Sequence, residues 1–195
     1  MKRPPTIRSV TTPQPVALKA DDLLGAKYRD MDVELWDGTL WVHEPHGGYS
    51  GPVSVRLGAL LLAQVEPSQL GWIGDCGAGF WLRSAPDRVL VPDVSFTSRA
   101  RLLAWPREGF SRVVPDLVAE VRSPSDAWAS VVAKGGVWLA HGVSVVWLVD
   151  PLERTVTTLR PAQAPEVAGA AGSFSGAPAL PDLRISVADL FRGLP

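Results

Sequence analysis

Apolar residues along this chain repeat with two different periods, and the switches between them divide the sequence into elements. In residues 53–65 they fall at Val53, Leu57, Leu60, Leu61 and Val65, a helical spacing opened near Ser50 and Pro52 and stopped by Pro67. Val33–Trp36 (VELW) and residues 40–42 (LWV) read as short strands flanking Asp37-Gly38, a dipeptide suited to a tight hairpin turn. Residues 21–24 predict a short helix with an aspartate as N-cap. Residues 71–82, aromatic and rich in glycine, read as one strand with an irregular approach. Residues 88–96 (RVLVPDVSF) read as one strand interrupted by Pro92, whose missing N–H suits an edge, a bulge or a bend. A polar loop with one helical turn is expected over residues 99–109.

Residues 115–121 (PDLVAEV) are nearly continuously apolar, as in a strand buried on both faces. Ser123-Pro124-Ser125-Asp126 then supplies a turn and an N-cap for a helix reaching His141 and closed by Gly142. Gly135-Gly136 inside that helix costs roughly 1 kcal/mol per glycine relative to alanine, which implies close packing there. A second buried strand follows over residues 143–149, and Asp150-Pro151 turns it into the alternating strand Thr155–Leu159. Residues 161–181 read as a loose loop or weak hairpin, and residues 182–191 as a short strand with a helical turn. Strands mixed with two substantial helices predict an α/β (α+β) fold, a mixed central β-sheet flanked by helices.

Composition narrows the class without setting the function. A chain of 195 residues supports one sizeable core. The expected organisation is a flexible arm over residues 1–20, rich in proline and threonine, and one domain over residues 21–195. Nineteen basic against twenty acidic residues argue against a binder held to nucleic acid by bulk charge. The lone Cys76 can form neither an internal disulfide nor a zinc cluster. No apolar run of membrane-spanning length and no signal-peptide core is visible, so a cytoplasmic protein is expected. His43, His46 and His141 lack metal-ligand spacing and read as surface or capping residues, and no P-loop, dinucleotide fingerprint or nucleophile elbow occurs.

Two carboxylates stand out because they interrupt apolar strands. A lone carboxylate is costly to bury, so Glu120, inside PDLVAEV, must be paired, hydrogen-bonded or metal-bound. An ion pair with Arg122 is the plain alternative. Asp93 follows the proline of the 88–96 strand, where a strand-end turn residue is the plain alternative. From neighbouring strands the two would make an oxygen-rich pocket for Mg²⁺ or Mn²⁺, with the Val121 carbonyl as a third protein ligand. Lys134, on the helix after the Glu120 strand, would orient a water or a phosphate oxygen; otherwise it is an exposed helix lysine. Arg99, Arg101 and Arg107 follow the Asp93 strand and read either as phosphate contacts or as a solvated loop.

The segments VELWDG, VPDVSF, PDLVAEVRSPSD, Lys134 and HGVSVVWLVDP resemble the Uma-type family of restriction endonucleases, in the PD-(D/E)XK nuclease superfamily, over residues 32–191. The resemblance implies a restriction-endonuclease-like fold with Asp93 and Glu120 as Mg²⁺ ligands. It also implies that the superfamily lysine has moved from the position of Arg122 to Lys134. Glu34 matches a glutamate of the family's first strand region and would join as an outer carboxylate, unless it is an exposed strand residue. The chain departs from the family pattern at Ser50, Arg122, Ser130, Trp138 and Val145. The implied activity is Mg²⁺-dependent hydrolysis of phosphodiester bonds by a metal-activated water, on DNA, by a homo-oligomer such as a dimer. The alternative is a nuclease fold that binds nucleic acid or regulates without cutting.

Overall fold

The structure, a computed structural model, describes residues 17–43 and 48–195. Most of the expected arm, through residue 16, and His46 lie outside the described residues. In chain order the elements begin α1 (Ala20–Leu23), β1 (Val33–Trp36), β2 (Thr39–Val42), α2 (Ser50–Val65), β3 (Gly71–Asp75), β4 (Phe80–Arg83), β5 (Arg88–Leu90), β6 (Val94–Ser98) and α3 (Arg99–Leu102). They continue β7 (Leu117–Val121), α4 (Trp128–Ala140), β8 (Val145–Asp150), β9 (Thr155–Leu159), β10 (Glu166–Ala168), β11 (Ser173–Ser175), β12 (Arg184–Ser186) and α5 (Val187–Leu190).

The chain divides into two compact units. The first takes the described part of Met1–Pro45 with Gly79–Val91 and Pro106–Arg112; the second takes His46–Ala78, Pro92–Trp105 and Val113–Pro195. In the first, an antiparallel sheet of order β2-β1-β5-β4 packs Val33, Leu35 and Val89 against Ala20, Leu23 and Tyr28. The hairpin turn forms where expected, with Asp37 at φ 52° and Gly38 at φ 80°. Such positive values favour glycine and tolerate aspartate. The Asp37 carboxylate accepts two hydrogen bonds from Arg88, at 3.0 and 2.8 Å, which ties the turn to β5. The N-cap of α1 is Lys19 instead of an aspartate, and Asp22 accepts the Lys19 N–H at 2.7 Å.

The second unit is built on a six-stranded sheet of order β10-β9-β8-β7-β6-β3. β7 and β8 run parallel, joined by α4, and the other neighbours are antiparallel. One face packs Val94, Phe96, Leu117, Ala119 and Val121 against Val53, Leu57, Leu61 and Val65 of α2, with Ile185, Val187 and Leu190 in the same core. All five residues of β7 and all six of β8 are buried, as two-sided strands require.

Three expectations need correction. Residues 71–82 form two strands, β3 and β4, which belong to different sheets. The break is local: Asp75 accepts the Gly77 N–H at 2.9 Å and the Ala78 N–H reaches the Asp75 carbonyl at 3.0 Å. Pro92 likewise separates β5 from β6, again in different sheets. In residues 161–181 the two strands do not pair with each other; β10 adds to β9, and β11 pairs with β12.

Candidate functional site

Glu120 sits where an apolar strand turns one polar residue away from the core. Its neighbours Ala119 and Val121 face α2. Alternation along the strand therefore sends Glu120 to the opposite face, where α4 lies. The register pairs Val94 with Ala119 and Ser95 with Val118. Continued by one residue, it sets Asp93 directly opposite Glu120, at the end where β6 begins and β7 finishes. The Asp93 carboxylate accepts the Val121 N–H at 2.6 Å. In an extended strand the N–H and C=O of one residue face the same edge, so the Val121 carbonyl faces the Asp93 side.

The helix α4 supplies the other half of the site. Lys134 and Trp138 lie four residues apart and so share a helix face. Lys134 Nζ is 3.0 Å from Glu120 Oε2, and the Trp138 indole N–H donates to Glu120 Oε1 at 2.6 Å. Glu120 is only 5% exposed and Trp138 is fully buried. An ammonium and an indole N–H compensate a carboxylate that would otherwise be costly to bury. Gly135 explains how the helix comes close enough. A Cβ there would lie 2.8 Å from Leu148 Cδ2 and 3.1 Å from Leu159 Cδ1, whereas one on Gly136 would meet nothing within 4 Å. Close packing thus explains one glycine of the pair. The helix starts later than expected, with Ala127 as N-cap, because Asp126 instead accepts the Ser123 N–H at 2.9 Å.

Arg122 does not neutralise Glu120. Its guanidinium pairs with Asp150 at 2.7 Å and donates to the Asp126 carbonyl at 3.2 Å. Lys134 is therefore the cation at Glu120, and it is mostly buried instead of an exposed helix lysine.

Glu34 is no exposed strand residue. It is 1% exposed in β1 of the first unit, where it accepts the Trp36 indole N–H at 3.0 Å and the Val91 N–H at 2.8 Å. His43 Nε2 lies 3.1 Å from Glu34 Oε2, so His43 is more than a surface residue. His141 is the C-cap of α4, its Nδ1 2.8 Å from the Val137 carbonyl.

Arg99 and Arg101 belong to the second unit, and each has its own partners. Arg99 donates to Gln69 at 2.9 Å, and Arg101 pairs with Asp116 at 2.9 Å and reaches the Val114 carbonyl at 2.9 Å. Arg107 is exposed and belongs to the first unit.

Sequence reasoning missed Trp138 and His43 as partners of buried glutamates. Trp138 was detectable as the residue one helical turn beyond Lys134. His43 was detectable from the hairpin register, which pairs Glu34 with Trp41 and so makes His43 a diagonal neighbour of Glu34.

Among the described residues no three His, Cys, Asp or Glu side chains converge as a metal-binding group. Asp93, Glu120 and the Val121 carbonyl nevertheless offer hard oxygen donors. Mg²⁺ keeps several waters and needs only one or two carboxylates, and a carboxylate oxygen with one hydrogen bond retains acceptor capacity. The donor set fits such an ion and does not fit a closed zinc site.

Comparison with known proteins bears on the family and the fold. No curated protein matches the chain. A crystal structure described as a "putative nuclease belonging to DUF820", from Anabaena variabilis, is similar at 23% identity and a TM-score of 0.70, covering 82% of this chain and 89% of that one. At that identity the likeness shows the fold alone. The model of the family described as "Putative restriction endonuclease" matches residues 20–188. The chain belongs to this Uma2 family and has its restriction-endonuclease-like fold, a mixed sheet with helices against it.

Proposed function

We propose that the protein is a Mg²⁺-dependent endonuclease that hydrolyses phosphodiester bonds of nucleic acid, with DNA as the expected substrate. The observation that carries this reading is the hydrogen bond that holds Asp93, just before β6, to the Val121 N–H beside Glu120, with Lys134 3.0 Å from Glu120. Asp93, Glu120 and the Val121 carbonyl would hold the ion, which when bound lowers the pKa of a coordinated water and stabilises charge on a phosphate oxygen. Lys134 orients the attacking water or a phosphate oxygen as a point charge fixed by Glu120. Trp138 holds the Glu120 carboxylate in its rotamer through the indole N–H. Arg122, engaged by Asp150, braces the strand ends and takes no part in the chemistry. Arg99 remains an accessory candidate, as a phosphate contact. A dimer in which each subunit cuts one strand is the assembly this reading implies.

A second reading, a nuclease fold that binds without cutting, is favoured by one observation: both oxygens of Glu120 already have partners. A cleavage screen separates the two. Single- and double-stranded DNA and RNA are incubated with Mg²⁺ or Mn²⁺ beside Asp93→Ala and Glu120→Gln controls. We expect metal-dependent cutting that falls at least about a hundredfold in either variant, the scale of losing a group that stabilises transition-state charge. Cleavage unchanged in Asp93→Ala would remove the assignment, and nucleic-acid binding with no cutting would favour the second reading.

A further inference from the structure

We propose that the β3 edge of the six-stranded sheet pairs with the same strand of a second copy of this chain. The sheet has two edge strands, and they are finished differently. β10 is three residues long and opens on Glu166, which pairs with Arg160 at 2.9 Å. Short length and a charge are ordinary ways to blunt an edge. β3 (GWIGD) has neither proline nor lysine, and its register with β6 is unbroken.

The backbone of β3 is open to a further strand. The Arg99 N–H donates to the Leu70 carbonyl at 2.7 Å. The β3–β6 register, continued by one residue, sets Leu70 opposite Arg99. The two are thus a hydrogen-bonded pair, and alternation gives the backbone groups of Trp72 and Gly74 to β6. Those of Gly71 and Ile73 face away from the sheet, and among the described residues they take no backbone bond from outside β6.

The sequence of β3 fits its own copy. Antiparallel pairing about a two-fold through Ile73 sets Trp72 opposite the partner's Gly74, and the reverse. Ile73 and Phe96 belong to the core under α2, so Trp72 and Gly74 share the other face. There an indole that is 58% exposed meets a position with no side chain, and an aromatic ring across from a glycine covers its bare backbone. On the α2 side, Leu62 and Glu66 line one groove with Ile73 and Arg99. Val55, seven residues before Leu62, lies on the same helix face and is 75% exposed. The two-fold brings this apolar stripe alongside the partner's α2. Glu66 and Arg99 form a self-complementary set under that symmetry, and a net charge of −1 gives two copies little reason to repel.

One consequence rests on the nuclease reading. The two-fold is normal to the sheet, so both carboxylate sites lie on one face. With strands ~4.8 Å apart and ~3.3 Å per residue, their Asp93 positions are roughly 25 Å from each other. Each copy then meets one strand of the same duplex.

Sedimentation velocity of the full chain over a dilution series should show a reversible monomer–dimer equilibrium. Trp72→Lys and Val55→Lys, both at exposed positions, should each weaken it at least about tenfold with unchanged circular dichroism. Ile73→Cys in a Cys76→Ser background should yield a disulfide-linked dimer on oxidation, because directly opposed residues lie within disulfide reach. A chain that stays monomeric at every concentration overturns the proposal and leaves the edge to a strand of another protein. A dimer that neither lysine variant weakens is formed elsewhere and overturns it too. Sedimentation does not depend on cleavage: a β3-linked dimer that cuts nothing counts against the nuclease reading alone, and an active monomer against this proposal alone.

Discussion

Among the described residues each unit buries one glutamate in a strand, and each of the two takes an indole N–H and faces a basic side chain. Glu34 takes an indole N–H from Trp36 at 3.0 Å and has His43 Nε2 at 3.1 Å; Glu120 takes an indole N–H from Trp138 at 2.6 Å and has Lys134 Nζ at 3.0 Å. The difference lies in where the donors come from. Those of Glu34 are the indole of its own strand and the Val91 N–H after β5, with His43, just past β2, in close contact. Those of Glu120 come from one face of α4 and depend on how that helix packs. A carboxylate held within one sheet, in part by a backbone N–H, is a structural fixture. One held between a strand and a helix, with a second carboxylate facing it, is a place where ligands can compete for its oxygens.

The largest expected contrast comes from removing the basic partner. Lys134→Ala leaves a carboxylate that is 5% exposed without its cation, and breaking a buried pair costs about 3 kcal/mol or more. His43→Ala leaves Glu34 its indole and backbone donors, and should cost at most about 1 kcal/mol, the scale of a partly exposed polar contact. Urea denaturation of the two variants checks this. Equal losses would mean that the two glutamates are held alike after all.

The next test moves the helix. Gly135→Ala forces a methyl into Leu148 and Leu159, at 2.8 and 3.1 Å, and overpacking of this kind costs about 1–3 kcal/mol. Because the same helix carries Lys134 and Trp138, we expect metal-dependent cleavage to fall together with stability. No glycine substitution in the hairpin should alter cleavage through Glu34 in that way. A destabilised Gly135→Ala enzyme with full activity would show that the site tolerates helix displacement.

A smaller difference should separate the two indoles. Replacing either tryptophan by phenylalanine also removes ring volume, so each is measured in a cycle with alanine at its glutamate, which isolates the pairwise part. The coupling of Trp138 with Glu120 should reach about 2 kcal/mol, the range for hydrogen bonds to charged groups, and that of Trp36 with Glu34 about 1 kcal/mol. Glu34 retains a backbone donor that Trp36→Phe does not touch. Reversal of this order would assign the more demanding environment to Glu34.

The two sites were also unequally legible in the sequence. Glu120 and Asp93 were visible because a carboxylate in an apolar run demands compensation, and several elements formed near the expected bounds: α2 at Ser50–Val65, the hairpin at Asp37-Gly38, and β7 and β8 about α4. Pairing partners were less visible. Arg122 lies two residues from Glu120, and strand alternation alone would keep it on the same face; it falls just past the end of β7, where Asp150 at the end of β8 receives it. The assignment of β3 and β4 to different sheets is decided by tertiary pairing, since both halves of residues 71–82 carry two glycines and a tryptophan beside other large apolar residues. The N-caps of α1 and α4 were misplaced because Asp22 and Asp126 accept hydrogen bonds from Lys19 and Ser123, just N-terminal to themselves. Glu34 was the hardest, because its burial depends on hairpin partners that composition does not single out.

The smallest expected effect is also the one that most cleanly separates packing from propensity at the candidate site. Gly136 follows Gly135 directly, but its added Cβ would meet nothing within 4 Å. Glycine in a helix interior costs up to about 1 kcal/mol relative to alanine through backbone entropy. Gly136→Ala should therefore stabilise the protein by a few tenths to about 1 kcal/mol, opposite in sign to its neighbour, with cleavage unchanged or slightly raised. Thermal and urea unfolding of the two single variants, beside a cleavage assay, reads both signs at once. If Gly136→Ala stabilises but lowers cleavage, flexibility of α4 beyond Lys134 contributes to turnover, and the site of Glu120 differs from that of Glu34 in mobility as well as in the origin of its donors.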